Sequence, residues 1–238
     1  FKNFMKLPDS TISKYDYVCN CSVNRNNVKN NYKKKFDFDL KIAEKIKKID
    51  TTFIFLSSRK VYKSKENIKE NDKLNPLTNY SKNKLIKENF LRKKFKSNIL
   101  ILRISNIIGY KLKAKKKLHK TFVDLFYEKA KQGFIYDNKK RFKDFLSVQK
   151  FSQILIMIIK KDLRGTYNVS IGRKIYLNQI IEWLNKYNNK RFKVINYSST
   201  KNQNFYLNNN KLMTKIKMKN SLFELKKDCL DLSKKLFN

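Results

Sequence analysis

The run "TTFIFLSS" at residues 51–58 constrains this chain more than any other stretch. It is short, apolar at successive positions, and ends in small polar residues. That pattern predicts a strand covered on both faces, as in a parallel sheet. "NILILRISNII" at 98–108 predicts a second such strand, closed by Gly109. Before them, "YDYVCNCS" at 15–22 is aromatic and β-branched enough for a strand.

Between the strands the periodicity changes. "FDFDLKIAEKIKK" at 36–48 sets Leu40, Ala43 and Ile46 at helical spacing. Residues 59–79 are polar, contain Pro76, and read as a loop. "NYSKNKLIKENFLRKKF" at 79–95 predicts a helix capped by Asn79 or Thr78. On it Ile86 and Phe90 lie one turn apart, and Leu91 and Phe95 repeat the spacing. Strand and helix alternate, which is the signature of an α/β fold with a parallel sheet. Ligands bind such sheets at the carboxyl ends of the strands, where Ser57, Ser58, Ser105 and Asn106 fall. Further on, helices are predicted at 121–131, 176–187 and 221–236, and strands at 165–170 and 191–197. Residues 143–161 read as a loop entering a helix.

With 41% hydrophobic and 13% aromatic residues, the chain can bury a core. No apolar run approaches the ~20 residues of a membrane span, and no signal-peptide pattern opens the chain, so a cytoplasmic location is expected. The formal charge is +38, from 57 Lys+Arg against 19 Asp+Glu. A nucleic-acid binder would carry such a field. However, Asn, Ile, Phe and Tyr are abundant along with Lys, while there are only 4 Gly and 2 Pro. An AT-rich coding sequence explains that skew; phosphate binding does not. The one concentrated basic run, "KLKAKKKLHK" at 111–120, has no aromatic residue for base stacking. Cys19, Cys21 and Cys229 are too few for a disulfide framework and read as reduced core cysteines. Cys19 and Cys21 face one side of their strand. The only histidine is His119, so no metal site is expected.

Within "PLTNYSKNK" (76–84), Tyr80 precedes Lys84 by one helical turn. Spacing alone decides nothing, because Tyr127…Lys131, Tyr136…Lys140 and Tyr197…Lys201 share it. Context separates the first pair: it opens a helix that follows a strand ending in Ser57 and Ser58. An ammonium beside a phenol favours the phenolate. A serine hydroxyl at the strand end can bind the same substrate oxygen. Together they suit alcohol–ketone interconversion, with the hydride coming from a cofactor.

These residues resemble the extended short-chain dehydrogenase/reductase family, the NAD-dependent nucleotide-sugar epimerases, dehydratases and reductases. "DYVCNCSV" (16–23) is similar to the family's fourth strand, which passes beside the cofactor. "FIFLSSRKVY" (53–62) is similar to the fifth strand with its serine turn. "LRISNIIG" (102–109), "KDFLSV" (143–148) and "GTYNVSIG" (165–172) follow in family order. The resemblance implies a Rossmann-like parallel sheet over 1–110 and a smaller α/β substrate-binding domain over 111–238, with 143–170 a candidate to pack back on the first. It implies Ser58, Tyr80 and Lys84 as catalytic residues. It implies NAD or NADP held by Cys21, Ser22, Val23, Tyr80, Lys84 and Ser105, and a nucleotide-sugar substrate held by Asn106, Arg141 and Lys143. It also implies a candidate homodimer through helix 80–95.

Departures from the family pattern narrow the reading. No glycine precedes Gly109, so the phosphate-binding loop is absent. With Phe1 as the first residue, roughly sixty residues, about two βα units, are expected upstream. The chain alone is then expected to bind NAD(P) poorly and to lack turnover. Arg59 and Lys60 stand where dehydratases carry Asp-Glu, which implies an epimerase or reductase. Lys143 replaces an arginine and cannot fork a phosphate. Asp37 or Asp39 stands near a usual asparagine. A non-catalytic fragment of the fold is the alternative, and a basic nucleic-acid-binding protein the weaker one. If the charge is compositional, DNA binding measured by fluorescence anisotropy will be weak, salt-sensitive and indifferent to sequence. Tight binding at physiological salt that depends on residues 111–120 would reverse that reading.

Overall fold

The computed structural model describes residues 1–109, 121–137, 140–190, 193–196 and 204–237. The basic run 111–120, with His119, lies outside the described residues. The chain begins with short helices α1 (Lys2–Lys6) and α2 (Asp9–Ile12), then β1 (Tyr17–Cys19), α3 (Arg25–Lys29) and α4 (Phe38–Lys45). Strand β2 (Thr52–Ser58), helix α5 (Asn79–Phe95) and strands β3 (Ile99–Ile104) and β4 (Asn106–Ile108) follow. Next come α6 (Phe122–Lys131), β5 (Phe134–Asp137), β6 (Phe142–Lys143), β7 (Phe145–Ser147), α7 (Val148–Lys160) and β8 (Gly165–Val169). The last elements are β9 (Ile175–Tyr176), α8 (Leu177–Asn185), β10 (Lys193–Asn196), α9 (Asn210–Ile216) and α10 (Leu222–Phe237). Two compact units emerge. One is Phe1–Lys63, Lys69–Ile104 and Ile159–Val169; the other is Ser64–Ile68, Ser105–Ile158 and Ser170–Asn238.

The first unit is built on a parallel sheet in the order β1-β2-β3-β8. Among the described strands β1 pairs only with β2 and forms an edge. Strands β2 and β3 are buried nearly end to end, with Phe53, Phe55, Leu100, Ile101 and Leu102 at 0% exposure. The apolar runs therefore lie where their composition predicts, covered on both faces. Phe53 stacks on Phe95 of α5 at 5.2 Å, and Ile42, Ala43 and Leu91 join the same core.

Helix α5 buries a different face from the one its apolar residues mark. Ile86 is 42% exposed, whereas Ser81, Asn83, Lys87 and Glu88 are buried beside Leu91 and Phe95. The reason is ionic. Lys87 Nζ lies 3.0 Å from Asp37 Oδ1 and 2.7 Å from Asp39 Oδ2. Asp37 also caps α4 by accepting from the Leu40 N–H. Arg103 of β3 donates to both oxygens of Glu88, at 3.1 and 2.7 Å, and Ser57 donates to Oε1 at 2.5 Å. Arg103 also donates to the Tyr62 hydroxyl at 2.7 Å, which in turn donates to Asn168 of β8 at 3.0 Å. Buried charges are tolerated only when so fully hydrogen-bonded. Thr78, not Asn79, caps the helix: Thr78 and Ser81 form a reciprocal capping box.

The second unit pairs β4 with β7 and β5 with β10 in parallel, and β6 with β9 antiparallel. Its core brings Val123 and Phe126 of α6 against Trp183 and Leu184 of α8 and Leu225 and Leu232 of α10. The strand expected over 98–108 breaks at Ser105. Asn106 turns its N–H and its side-chain amide to the Asp144 carbonyl, at 3.3 and 3.1 Å, and the chain leaves the sheet to pair with β7. The stretch read as a loop entering a helix contains strands β6 and β7 before α7 begins at Val148. The Asp144 side chain supplies what holds them. It is fully buried and accepts from the N–H groups of Ile171, Gly172 and Leu207 at 3.1, 3.3 and 3.0 Å. Burial pushes its carboxyl up to about 7, with these hydrogen bonds pulling the other way. Gly172 has φ +83° and a Cβ there would meet Asn209 Oδ1 at 2.5 Å, so the turn accepts only glycine.

Two stability outcomes follow from these clamps. Glu88→Ala leaves Arg103 buried and unpaired, and should destabilise the fold by about 3–5 kcal/mol in urea unfolding. Ile86→Ser, on the exposed face of the same helix, should change it by no more than about 0.5 kcal/mol; equal losses would refute the ionic assignment of the buried face. Asp144→Asn presents an NH2 to a set of N–H donors, leaving at least one unmatched. It should cost about 1–3 kcal/mol, and an unchanged unfolding midpoint would show that the clamp does not hold the unit.

Candidate active site

Ser58, Tyr80 and Lys84, three of the sequence-predicted residues of the first unit, lie on the last residue of β2 and the first turns of α5, which packs against that strand. Ser58 ends β2 and is 9% exposed. Its oxygen accepts the Lys60 N–H at 3.2 Å and so caps the 3-10 turn Arg59–Val61. A hydroxyl accepting in this way keeps its own proton to donate. Helix α5 packs on this turn. Arg59 is buried, and that burial draws its guanidinium down to about 10. Burial, then the Arg59 charge, lowers Lys60 as well.

Tyr80 is the second residue of α5, half-buried, and Lys84 follows one turn later. Lys84 Nζ donates to the Leu56 carbonyl of β2 at 2.6 Å. The same ammonium lies 4.7 Å from the Phe55 ring centroid and 5.9 Å from that of Tyr80. Lys60 Nζ is 5.7 Å from the Tyr80 ring. Two ammonium groups thus flank one phenol, and one of them is tethered to the strand that carries Ser58.

The segment after β1 is held by residues that no sequence pattern marked. Asn20 accepts from the Ser22 N–H at 2.9 Å and the Ser22 hydroxyl at 2.5 Å, and donates to Asp39 at 2.7 Å. Asn83 of α5 donates to the carbonyls of Asn27 and Asn30, each at 2.9 Å, pinning α3 to the helix that bears Tyr80. Cys21 lies beyond β1 and is exposed, with Ser22 and Val23 half-buried. The expectation of core cysteines therefore fails for Cys21: β1 ends at Cys19, and Asn20 draws the chain off the sheet. Asp37 and Asp39 are both engaged by Lys87.

Ser105, Asn106, Arg141 and Lys143 belong to the second unit. Ser105 is 9% exposed, and its hydroxyl has no hydrogen-bond partner among the described residues. Asn106 spends its side-chain NH2 on the Asp144 carbonyl. Arg141 is half-buried, with a buried Nε that lacks a partner among the described residues, and its carbonyl accepts the Leu177 N–H at 2.9 Å. Lys143 is half-buried on β6, two residues after Arg141. No described helix is long and apolar enough to cross a membrane.

Comparison with solved structures returns the same architecture. UDP-N-acetylglucosamine 4-epimerase from Methanobrevibacter ruminantium M1, in complex with UDP-N-acetylmuramic acid, is 21% identical with a TM-score of 0.73, over 97% of this chain and 80% of that one. UDP-glucuronic acid 4-epimerase from Bacillus cereus, in complex with NAD, is 15% identical with a TM-score of 0.74, over 99% and 80% of the two chains. UDP-glucose 4-epimerase from Thermotoga maritima, with UDP-glucose, is 16% identical with a TM-score of 0.70, over 98% and 82%. At these identities the likeness is one of fold. A search of curated proteins returned no match. The NAD dependent epimerase/dehydratase family matches residues 6–170, well over half of the sequence. By that match, and with its parallel sheet, the chain belongs to the NAD-dependent epimerase/dehydratase family.

Proposed function

We propose that this protein is an NAD(P)-dependent epimerase or reductase that interconverts alcohol and ketone on a nucleotide-linked sugar. The observation that carries the reading is the tether of Lys84 Nζ to the Leu56 carbonyl at 2.6 Å. It fixes the ammonium near the carboxyl end of β2, one turn from Tyr80 and at the carbonyl two residues before Ser58. In this reading Tyr80 passes a proton to and from the sugar oxygen. The flanking Lys84 and Lys60 stabilise negative charge on the phenolic oxygen while the proton is away. Ser58 donates its free proton to the same sugar oxygen and orients it. Lys84 has N–H groups left after binding Leu56, and these suit the hydroxyls of a ribose.

An NAD(P) held by Tyr80 and Lys84 would supply the hydride transfer. Within the first unit the residues present fit such a group: Cys21 is exposed, and Ser22 and Val23 are half-buried, where the chain leaves the end of a parallel strand. Asn106, Arg141 and Lys143 are assigned to the nucleotide sugar, the two cations to its diphosphate. The neighbours in complex with UDP-N-acetylmuramic acid and UDP-glucose support that substrate class. Arg59 and Lys60 argue against elimination of water, because two cations after Ser58 cannot serve as its acid and base.

Tyr80→Phe in the native gene product should lower turnover of UDP-sugars by about 10²–10⁴-fold and leave cofactor affinity nearly unchanged. Lys84→Met should weaken both. Near-normal turnover in Tyr80→Phe would sink the mechanism, and a 4-keto-6-deoxy sugar product by mass spectrometry would overturn the argument from Arg59 and Lys60.

A further inference from the structure

Two cations follow Ser58 at once, and their surroundings differ. Arg59 is buried, whereas Lys60 is exposed. The 3-10 turn that carries them packs against α5. Lys60 thereby meets both groups assigned to the reacting oxygen: its N–H donates to the Ser58 hydroxyl at 3.2 Å, and its Nζ lies 5.7 Å from the Tyr80 ring centroid. Among the described residues the Lys60 ammonium has no ion pair. The buried carboxylates of α4 and α5 are taken, Asp37 and Asp39 by Lys87 and Glu88 by Arg103. Lys84, the other ammonium beside Tyr80, is tethered to the Leu56 carbonyl. Resting on the reading that Tyr80 and Ser58 serve the reacting sugar oxygen, we infer that Lys60, backed by Arg59, binds a carboxylate on the sugar itself, next to its reacting carbon, as in a hexuronic acid.

The local charge calls for an anion. Desolvation, and then the Arg59 charge, both disfavour the Lys60 ammonium. Burial draws the Arg59 guanidinium down as well. Like charges on successive residues therefore stand at the strand end at an energetic cost. An anion at Lys60 offsets that cost, because an opposite charge favours the charged form of each group. The two cations have different tasks. Lys60 reaches solvent and offers N–H donors on a flexible stem; Arg59, behind it, adds to the field without leaving the interior.

Position selects which anion. A nucleotide sugar carries its diphosphate on C1, and Arg141 and Lys143 are the cations assigned to it. When the reacting oxygen is O4, C1 lies across the ring from it. The carboxylate of a hexuronic acid hangs from C5, the carbon next to C4, and so lies beside the oxygen that Tyr80 and Ser58 share. Lys60, bonded to Ser58 and flanking Tyr80, is placed for that group. A carboxylate takes a charge-assisted hydrogen bond from the ammonium. The hydroxymethyl group of a neutral hexose offers a dipole in its place, and leaves the ammonium without its counter-charge as the sugar displaces water.

The test compares UDP-glucuronic acid with UDP-glucose on the native gene product in the presence of NAD(P). The kcat/KM for consumption of the acid should exceed that of the neutral sugar by about 10–100-fold. Lys60→Met should bring that ratio toward unity. Because the readout is a ratio, the loss of phenolate stabilisation in this variant affects both sugars and cancels. Lys60→Arg keeps the charge and should keep most of the preference, and Lys60→Glu should reverse it. UDP alone, as an inhibitor, should bind Lys60→Met as tightly as the wild type. An equal weakening of UDP and UDP-glucuronic acid would put Lys60 on the diphosphate and overturn the inference. So would a wild type that consumes UDP-glucose as well as the acid, with the reading of Tyr80 and Ser58 left standing. Turnover of neither sugar would overturn that reading, and this inference with it.

Discussion

The first unit depends on the buried charges of α5. Lys87 reaches two aspartates on one side, and Glu88 takes the guanidinium of Arg103 on the other. The register and rotation of the helix over the sheet follow from these pairs. An apolar face could slide by a turn at small energetic cost; a helix with Lys87 and Glu88 at its buried centre cannot, because any slip strands a desolvated charge. Tyr80 and Lys84 stand two turns and one turn before this anchor. The position of the ammonium at the Leu56 carbonyl is therefore set by pairs that have no contact with the chemistry.

A comparable device organises the second unit. Asp144 gathers backbone N–H groups from Ile171, Gly172 and Leu207, segments distant in sequence. Its own carbonyl draws in Asn106. Through the one residue, β4, β6, β7 and the turn at Gly172 are held in register, and with them Asn106 and Lys143. Buried polar groups that are fully satisfied specify one arrangement where apolar packing tolerates several.

These clamps also bear on the +38 charge. Acidic residues are scarce in this chain, yet Asp37, Asp39, Glu88 and Asp144 are all buried. They occupy positions where a carboxylate is structurally needed, and there the excess of lysine could not displace them. That distribution fits a compositional drift that altered exposed positions and left the internal ones alone.

Much of the first unit was legible in the sequence. The runs at 51–58 and 98–104 could only be covered strands, because successive apolar side chains need a buried partner on both faces. The helix at 79–95 was legible from its cap and length, and the order of the motifs marked Ser58, Tyr80 and Lys84. The sequence did not reveal which face of α5 is buried, since Lys87 and Glu88 read as solvent residues until Asp37, Asp39 and Arg103 arrive from other elements. It did not show the break at Ser105, which a carbonyl forty residues away decides, nor strands as short as β6 and β9, which exist only by pairing with each other. It placed Cys21 inside, where the folded chain turns it out. Local pattern determined the elements, and the order of motifs nominated Ser58, Tyr80 and Lys84. Tertiary structure decided rotation, termination and polar partners, because those depend on groups that meet only after the chain has folded.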